Sequence, residues 1–327
     1  MASASTRARE TCARVASVAS RARVVDDAVD AFVASLSDAE TARLRAGARS
    51  FDALGAHGAS AWEDEVTAAH CLVVDAMNFC FWPDHDADGG GGLEYEHVAG
   101  GWRRAIERDA RAVSAERLRV MTGEELRNIL GWPRPLPNEE ERARLVREVG
   151  EGLATAFGGS CVELVRSANG SATKLVDIVL MHFPGFHDAT IYRGRQVFFY
   201  KRAQIFVGDI WGAFGGVGLG KFHDINELTM FADYRVPVIL REHGILRYDA
   251  DLLRKIVAKE EIAANSEEEI EIRACTVSAV EKIRDAFELR HGERVSSIVI
   301  DWLLWEQGEA RRDTSEEPHH RTLTIFY

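Results

Sequence analysis

Two charged residues in the middle of the chain lie inside aromatic segments, where a solvated charge is not normally placed. Lys201 lies in the segment Phe-Tyr-Lys-Arg-Ala-Gln, and Asp233, 32 residues later, lies in Thr-Met-Phe-Ala-Asp-Tyr-Arg-Val-Pro. Because burying an unpaired charge costs on the order of several kcal/mol, such residues usually have a function or a partner. A carboxylate beside an ammonium group is suited to breaking a glycosidic bond, since the sugar becomes cationic as the bond opens.

A second set of polar residues lies among aromatic side chains nearer the start of the chain. Asp75 and Asn78 are close in sequence to Phe81 and Trp82. This mixture is typical of a site that stacks on a flat heterocycle and hydrogen-bonds its edge. The same segment also suits a protein core in which the aspartate caps a helix, so both interpretations stay open.

Further candidates lie in the helix of the lysine and near the end of the chain. Gln204 lies one helical turn after the lysine and on the same face. Asp301 and Trp305 place another acid among aromatic residues, and His320 with Arg321 form a pair suited to binding a phosphate. Each position also suits a structural role: a snorkelling lysine, a core helix or a solvated tail.

The elements that would position these residues are mostly helices. Four pairs of a capping residue with a glutamate three positions later predict helix starts: Ser37 with Glu40, Thr122 with Glu125, Asn138 with Glu141, and Ser266 with Glu269. A turn at residues 193–194 predicts a short β-hairpin, and residues 322–327 alternate weakly. The sequence therefore predicts a mainly α protein with a small β element, an α+β fold.

Length and charge limit the classes of protein. The chain has 327 residues and a formal net charge of −12. It exceeds the usual domain size of about 100–200 residues, which predicts a single unit over residues 1–327, either undivided or built of two intimate subdomains. The acidic balance argues against stable binding of nucleic acid through phosphates. The five cysteines are odd in number and form no C-x-x-C pair, which favours reduced thiols; we expect neither a metal nor another cofactor.

The start of the chain allows two interpretations. Residues 1–25 are rich in Ala, Ser and Arg with one acid, Glu10, a composition typical of an organelle transit peptide. The interpretation that we favour is a short tail, residues 1–9, followed by an amphipathic helix. No apolar run approaches the roughly 18 residues of a membrane span, so we expect no membrane association and a cytoplasmic location.

Two glycine-rich segments imitate known motifs. Asp84 begins a calcium-loop pattern, but its twelfth position is Tyr95 instead of the required glutamate. Residues 215–221 fit the spacing of a phosphate-binding loop, but Phe222 replaces the hydroxyl residue that would hold magnesium. We therefore interpret residues 84–97 and 212–222 as flexible loops.

Together, several ordered motifs carry a family resemblance. From about residue 10 to Tyr327 the chain resembles the queuosine salvage proteins, the queuosine 5'-phosphate N-glycosylase/hydrolases. The motifs are Asp75-Ala-Met-Asn78-Phe79-Cys-Phe81-Trp82, Phe183-Pro184-Gly185-Phe186-His187-Asp188, Phe199-Tyr-Lys201-Arg-Ala-Gln204, Thr229-Met-Phe-Ala-Asp233-Tyr-Arg235-Val-Pro237, Glu269-Ile-Glu271-Ile-Arg273-Ala and Pro318-His-His320-Arg321.

The resemblance implies a cytosolic hydrolase that releases the base queuine from queuosine 5'-monophosphate, so that queuine returns to transfer RNA. It also implies a helical core similar to DNA glycosylases, and a site centred on Asp233 and Lys201. Asp233 would attack the anomeric carbon or align the attacking water. Lys201 would keep the carboxylate ionised, position the nucleotide or contribute a proton, and we favour the first role.

The remaining candidates bind the base and the phosphate in this interpretation. Queuine is a 7-deazaguanine and lacks the ring nitrogen that purine-cleaving enzymes protonate, so protonation or hydrogen bonding must occur elsewhere on the base. The substrate-binding candidates are Asp75, Asn78 and Asp301 for the edge of the base, Phe81, Trp82 and Trp305 for stacking, Gln204 on the face of the lysine, and His320, Arg321 and, in reserve, Arg235 for the phosphate.

Two other classes of function stay open. A nucleic-acid glycosylase or binder on the same scaffold would need a broad basic surface. A non-catalytic helical binding protein would use the aromatic motifs as core only, and replacing the charged pair would then change stability alone. The sequence leaves the oligomeric state open.

Overall fold

The protein is a helical assembly with two small antiparallel sheets. The structure, a computed structural model, describes residues 2–51, 62–86, 91–312 and 317–327. In these ranges the helices are α1 Ala4–Val18, α2 Asp26–Ser35, α3 Asp38–Ala46, α4 Asp64–Ala76, α5 Tyr95–Arg108, α6 Ala115–Leu118, α7 Gly123–Leu130, α8 Glu139–Ala156, α9 Cys161–Ser167, α10 Ala172–His182, α11 Lys201–Ala213, α12 Val236–Glu242, α13 Ala250–Val257, α14 Glu267–His291 and α15 Ser297–Ala310. The strands are β1 Ala22–Val24, β2 Ala189–Tyr192, β3 Arg195–Phe198 and β4 Leu246–Tyr248. The predicted mainly α fold with a small β element is confirmed; the likeness to DNA glycosylases stays a prediction.

All four predicted helix starts agree with the structure, and three of the four predicted residues cap their helix with a side-chain hydrogen bond. Ser37 and Thr122 form complete capping boxes at α3 and α7, and the Ser266 hydroxyl accepts from the backbone of α14. Asn138 precedes α8 as predicted, but its side chain does not cap the helix, because the residue adopts a left-handed conformation with φ of 52°. The Glu139 carboxylate instead accepts from the Leu136 amide at 2.9 Å.

One of the two sheets was predicted and the other was not. Strands β2 and β3 form the expected hairpin, with Tyr192 opposite Arg195. Strands β1 and β4 pair antiparallel although more than two hundred residues separate them in sequence. The weak alternation of residues 322–327 does not produce a strand; the chain makes one isolated bridge there, between Glu261 and Arg321.

Segments assigned to tail and loops are more structured than the sequence indicated. Helix α1 begins at Ala4, and Ala4 is fully buried, so most of the predicted tail 1–9 is helical. In the predicted loop 84–97, residues 87–90 lie outside the described residues, and the Asp84 carboxylate accepts from Leu93 N at 2.7 Å. Residues 212–222 contain the end of α11 and a 3-10 turn, Gly218–Gly220. As predicted, this glycine run follows a helix instead of the strand that a phosphate-binding loop requires.

The longest helix, α14, runs through the interior and carries both apolar and charged buried residues. It packs against α1, α2, α12, α15 and β1. A continuous apolar cluster extends from Ala4 to Leu304, and three charged residues of α14, Glu269, Glu271 and Arg273, are buried within the same region. Within the described ranges, no helix has the length and apolar character needed to cross a lipid bilayer.

Candidate active site

Five segments meet at one small cavity. They are the loop after α4, the start of α5, the first turn of α11, the chain entering α12 and the second half of α15. The cavity has a volume of about 20 Å³ and is lined by Asn78, Phe79, Phe81, Glu94, Tyr95, Lys201, Asp233, Tyr234, Arg235, Trp305 and Glu309. This volume is close to that of one water molecule. Six of the candidate site residues thus converge at one place: Asn78, Phe81, Lys201, Asp233, Arg235 and Trp305.

Asp233 is held at the cavity by the helix that follows it. Its Oδ1 atom accepts hydrogen bonds from Arg235 N at 3.0 Å and Val236 N at 2.9 Å, the free amides at the start of α12. The residue is 9% exposed. Burial raises the pKa of Asp233, against the lowering effects of Lys201 and of the two backbone hydrogen bonds. The chain therefore fixes the carboxylate through one oxygen while the residue lines the cavity.

Lys201 is the first residue of α11 and reaches the cavity from a buried position. Its backbone amide donates to Asp188 Oδ2 at 3.3 Å, and the preceding residue, Tyr200, has a left-handed φ of 52°. Its Nζ atom donates to the Asn78 carbonyl oxygen at 2.8 Å. Burial lowers the pKa of Lys201 to about 8, while Asp233 acts in the opposite direction.

Lys201 and Asp233 line the same cavity and interact electrostatically. The ammonium donates to a backbone carbonyl, and Lys201 nevertheless lowers the pKa of Asp233 electrostatically, in the expected direction. The net pKa shift of Asp233 is upward, however, because desolvation of the buried carboxylate outweighs the lysine. Lys201 therefore limits this upward shift but does not cancel it.

Aromatic side chains form part of the cavity wall. Phe81 and Trp305 both line it, and Tyr95 meets Trp305 edge-on at a centroid distance of 5.8 Å. Trp82 is directed elsewhere: its Nε1 donates to the Thr322 carbonyl at 3.2 Å. Two of the three predicted stacking residues therefore reach the cavity and the third supports the C-terminal segment.

Charged residues form another part of the wall, where they are joined by ion pairs. Arg235 Nε lies 3.0 Å from Glu309 Oε1, and Arg235 Nη2 lies 3.4 Å from Glu94 Oε1. Arg312 contacts the same two glutamates at 3.0 and 3.3 Å. Burial raises the pKa of Glu309 to about 7, against Arg235 and with a contribution from Glu94. The cavity thus contains a carboxyl group that titrates near neutrality.

Sequence reasoning missed both glutamates. Glu94 caps α5 through the His97 amide and has no aromatic segment around it. Glu309 had a usable signal, because Asp301, Trp305 and Glu309 repeat every four residues on one face of α15. Extending that face by one turn would have found it.

Three other candidates are buried close to the charged pair but do not line the cavity. Asp301 Oδ1 accepts from Phe231 N at 3.0 Å, and Gln204 donates to Thr229 Oγ1 at 2.8 Å while accepting from Thr229 N. Neither carboxylate oxygen of Asp75 has a hydrogen-bond partner among the described residues. Burial raises the pKa of both Asp75 and Asp301 well above the usual range. These three residues are thus buried outside the lining of the cavity.

The predicted phosphate pair, His320 and Arg321, does not line the cavity. His320 is 2% exposed, and its Nε2 lies 3.2 Å from the Tyr327 hydroxyl. Burial lowers the pKa of His320 well below its usual value, which favours the neutral ring. The Arg321 guanidinium lies over the Trp82 ring at 5.2 Å. The expected phosphate contact is thus not supported at these positions, because both side chains are used in packing the C-terminal segment.

A buried carboxylate, an ammonium group and aromatic walls at one cavity of a helical protein are the combination expected of a hydrolase of N-glycosidic bonds. The chain belongs to the queuosine salvage protein family, whose sequence profile matches residues 59–327.

Relatives from distant organisms carry the same name, queuosine 5'-phosphate N-glycosylase/hydrolase. The protein of Dictyostelium discoideum is 51% identical over 263 residues, which are 80% of this chain and 79% of the relative. The protein of Sphaerobacter thermophilus is 44% identical over 272 residues, 81% of this chain and 84% of the relative. The protein of Bos taurus is 38% identical over 284 residues, 81% of this chain and 82% of the relative. The range matched by the family profile, residues 59–327, contains the segments that form the cavity.

Proposed function

We propose that this protein is an N-glycosidase that hydrolyses queuosine 5'-monophosphate and releases queuine. One observation carries the proposal: Asp233 lines an aromatic-walled cavity with one carboxylate oxygen fixed by the first amides of α12. The names and identities of the relatives support the same substrate.

Asp233 acts on the sugar in the proposed reaction. Positive charge develops on the ribose as the bond to the base breaks, so a fixed carboxylate stabilises the transition state more than the ground state. Asp233 either attacks the anomeric carbon, giving a covalent intermediate, or aligns the water that attacks it. The two routes differ in the configuration of the released ribose phosphate.

Lys201 maintains the charge of that carboxylate. Burial favours the neutral form of Asp233, and the ammonium group opposes this effect. The hydrogen bond from Nζ to the Asn78 carbonyl also ties the loop after α4 to α11. Lys201 thus contributes both charge and the position of the segment that carries Asn78 and Phe81.

The base is bound by the aromatic wall and polar atoms beside it. Phe81 and Trp305 are the stacking candidates, and Asn78 is the candidate for hydrogen bonding the edge of the base. Glu309, whose pKa is raised to about 7, is the carboxyl group at the cavity best suited to donate a proton to the leaving base. Asp75 and Asp301 do not line the cavity, so the structure does not support a direct contact of either residue with the base.

Arg235 is the leading candidate for the 5'-phosphate. It is one of two cationic residues that line the cavity, and its guanidinium geometry suits a phosphate. Glu94 and Glu309 occupy its donors in the described structure. Phosphate binding therefore requires Arg235 to exchange at least one glutamate partner for the substrate.

The cavity must widen to admit a nucleotide. Its volume of about 20 Å³ holds roughly one water molecule, whereas small-molecule sites are about 300–1,000 Å³. We propose that Trp305, Tyr95 and the Arg235 ion pairs move apart when the substrate binds, since these three lining residues are partly exposed to solvent.

The test is direct. Purified protein is incubated with queuosine 5'-monophosphate and, separately, with queuosine, and free queuine is followed by mass spectrometry. Release from the monophosphate is expected. If a folded protein, checked by circular dichroism, releases base from neither substrate, the proposed function is wrong.

A further inference from the structure

We infer that Arg273 is a positioning residue that holds the backbone segments of Lys201 and Asp233 at a fixed separation. This inference rests on the proposed function. Arg273 lies on α14, is 2% exposed and does not line the cavity. It therefore acts through its neighbours and not on the substrate.

The first connection runs from Arg273 to the aspartate. Its Nε atom donates to the Ala232 carbonyl oxygen at 3.2 Å. Ala232 directly precedes Asp233, so this hydrogen bond holds the peptide that leads into the catalytic carboxylate. The other side of Asp233 is held by the start of α12. The carboxylate is thus fixed from both directions along the chain.

The second connection runs from Arg273 to the lysine through Asp188. Both terminal nitrogens of Arg273 contact the Asp188 carboxylate, at 3.0 and 2.6 Å. Asp188 Oδ2 accepts from the backbone amide of Lys201 at 3.3 Å, and the Asp188 carbonyl accepts from Phe199 and Tyr200 at 3.0 and 3.1 Å. One aspartate therefore holds the turn in which Tyr200 adopts its positive φ and from which Lys201 begins α11.

Aromatic rings keep the guanidinium in place. The Arg273 guanidinium carbon lies 3.9 Å from the centroid of the Phe199 ring and 4.2 Å from that of Tyr327. Glu269, one turn earlier on α14, lies 3.4 Å from it. Cation–π contact and ion pairing together define one orientation for the planar group.

The unit needs arginine for a geometric reason. A guanidinium donates in several fixed directions at once, whereas a lysine ammonium is a point charge on a flexible stem. Arg273→Lys keeps the charge beside Asp188 but cannot hold Asp188 and the Ala232 carbonyl in the same geometry. The expected consequence is a small displacement of the two catalytic groups, which affects the chemical step more than substrate binding.

The first test compares two identical substitutions on one helix. Arg273→Lys is expected to lower kcat by about 10²-fold with KM within about threefold of the wild type. The matched control is Arg284→Lys: Arg284 is 5% exposed, lies on α14, and pairs with Glu281 and Asp285 away from the cavity. It is expected to leave kcat within about twofold. Equal losses of kcat in the two variants, or a folded Arg273→Lys with wild-type kcat, overturn the inference.

A second pair of variants changes the Tyr327 ring that contacts the guanidinium and leaves Arg273 itself unchanged. This pair tests the positioning role of Arg273 if Arg273→Lys does not fold. Tyr327→Leu removes one ring from the guanidinium and is expected to lower kcat at least about threefold with unchanged KM. Tyr327→Phe keeps the ring but loses the hydroxyl contact with His320, so stability falls while kcat is retained. If kcat follows stability in both variants, the role is merely structural. Failure of the wild type to release queuine would instead contradict the proposed function.

Discussion

At the residue scale, the dual role of Asp233 allows its chemistry to be separated from its structural contribution. We predict that Asp233→Asn lowers kcat by at least about 10³-fold with little change in stability. The amide oxygen of asparagine can still accept from Arg235 N and Val236 N, and asparagine caps helices as well as aspartate does, but it carries no charge to stabilise the sugar cation. Steady-state kinetics and urea unfolding of the same preparation measure the two effects.

Asp233→Ala is the informative contrast. It removes the cap as well as the charge, so it is expected to lose similar activity and, in addition, about 0.5–2 kcal/mol of unfolding free energy. If Asp233→Asn retains kcat within tenfold of the wild type, the negative charge of the carboxylate is not required for the reaction.

The role of Lys201 is tested by the pH dependence of kcat/KM. In the wild type, kcat/KM rises with pH as Asp233 loses its proton. Lys201→Met removes the group that lowers the pKa of Asp233, so the acid limb is expected to move to higher pH, towards the alkaline limb that the Glu309 proton donor sets near pH 7.

The alternative roles of Lys201 give a different profile. If the ammonium binds the nucleotide or donates a proton, the reaction requires the group itself, while the alkaline limb set by the Glu309 proton donor is present under either role. A Lys201→Met variant would then be inactive at every pH. An unshifted acid limb in an active variant would rule out the role that we favour.

Glu309 links the cavity to the pH dependence of stability. Its pKa rises from 4.5 to about 7 on burial, so the folded protein binds a proton more tightly than the unfolded chain. Its contribution is therefore fully present below about pH 4.5 and is lost as the pH rises through about 7, by at most about 3 kcal/mol. We predict that Glu309→Gln makes stability fall less steeply over this range, measured by urea unfolding at several pH values. Equal slopes in the two proteins would show that Glu309 is ionised throughout.

Residue types and spacing predicted the centre of the site but not its edges. Lys201 and Asp233 stood out because a charge inside an aromatic segment needs a partner or a function, and this property is local in sequence. His320 does not line the cavity and its phosphate contact stays a prediction; the packing of Tyr327 against it depends on tertiary contacts that spacing does not encode. The cavity contact of Glu94 was missed for the same reason.

At the element scale, the long amphipathic helices and their caps were predictable and the short pairings were not. Helix α14 begins after Ser266 and ends before Gly292, as its apolar spacing predicted. Strands β1 and β4 have three residues each, too few for an alternating pattern to be recognised. Their pairing depends on the surrounding helices, which bring distant parts of the chain together.

Helix packing gives a prediction in which the usual effect of a substitution reverses. Glycine to alanine inside a helix normally stabilises by up to about 1 kcal/mol. At Gly150 in α8, an added Cβ would lie 2.5 Å from Arg119 N and 2.8 Å from Ala115 O, which are backbone atoms next to α6. We therefore predict that Gly150→Ala destabilises the protein by about 1–3 kcal/mol in urea unfolding. A stabilised variant would show that α6 and α8 are not this close.

At the scale of the whole molecule, the net charge bears on the choice between a small-molecule enzyme and a nucleic-acid binder. The net charge of −12 repels a polyanion, and affinity for nucleic acid derives mainly from cations that displace counterions. A groove of about 230 Å³ does contain Arg14, Arg193 and Arg195. Two of these arginines make contacts within the protein itself: Arg14 donates to Gln196 O at 2.7 Å, and Arg193 forms an ion pair with Glu267 at 3.1 Å.

We predict that an excess of bulk transfer RNA leaves the hydrolysis of queuosine 5'-monophosphate unchanged within about twofold, even at about 50 mM salt, where phosphate contacts are strongest. The measurement is kcat/KM with and without the RNA at two salt concentrations. Inhibition at low salt that disappears at high salt would show a phosphate-binding surface on the folded protein. In that case the local positive charge of the groove would outweigh the negative net charge of the protein. Arg195, which lies on β3 and lines the groove, would be the first residue to replace.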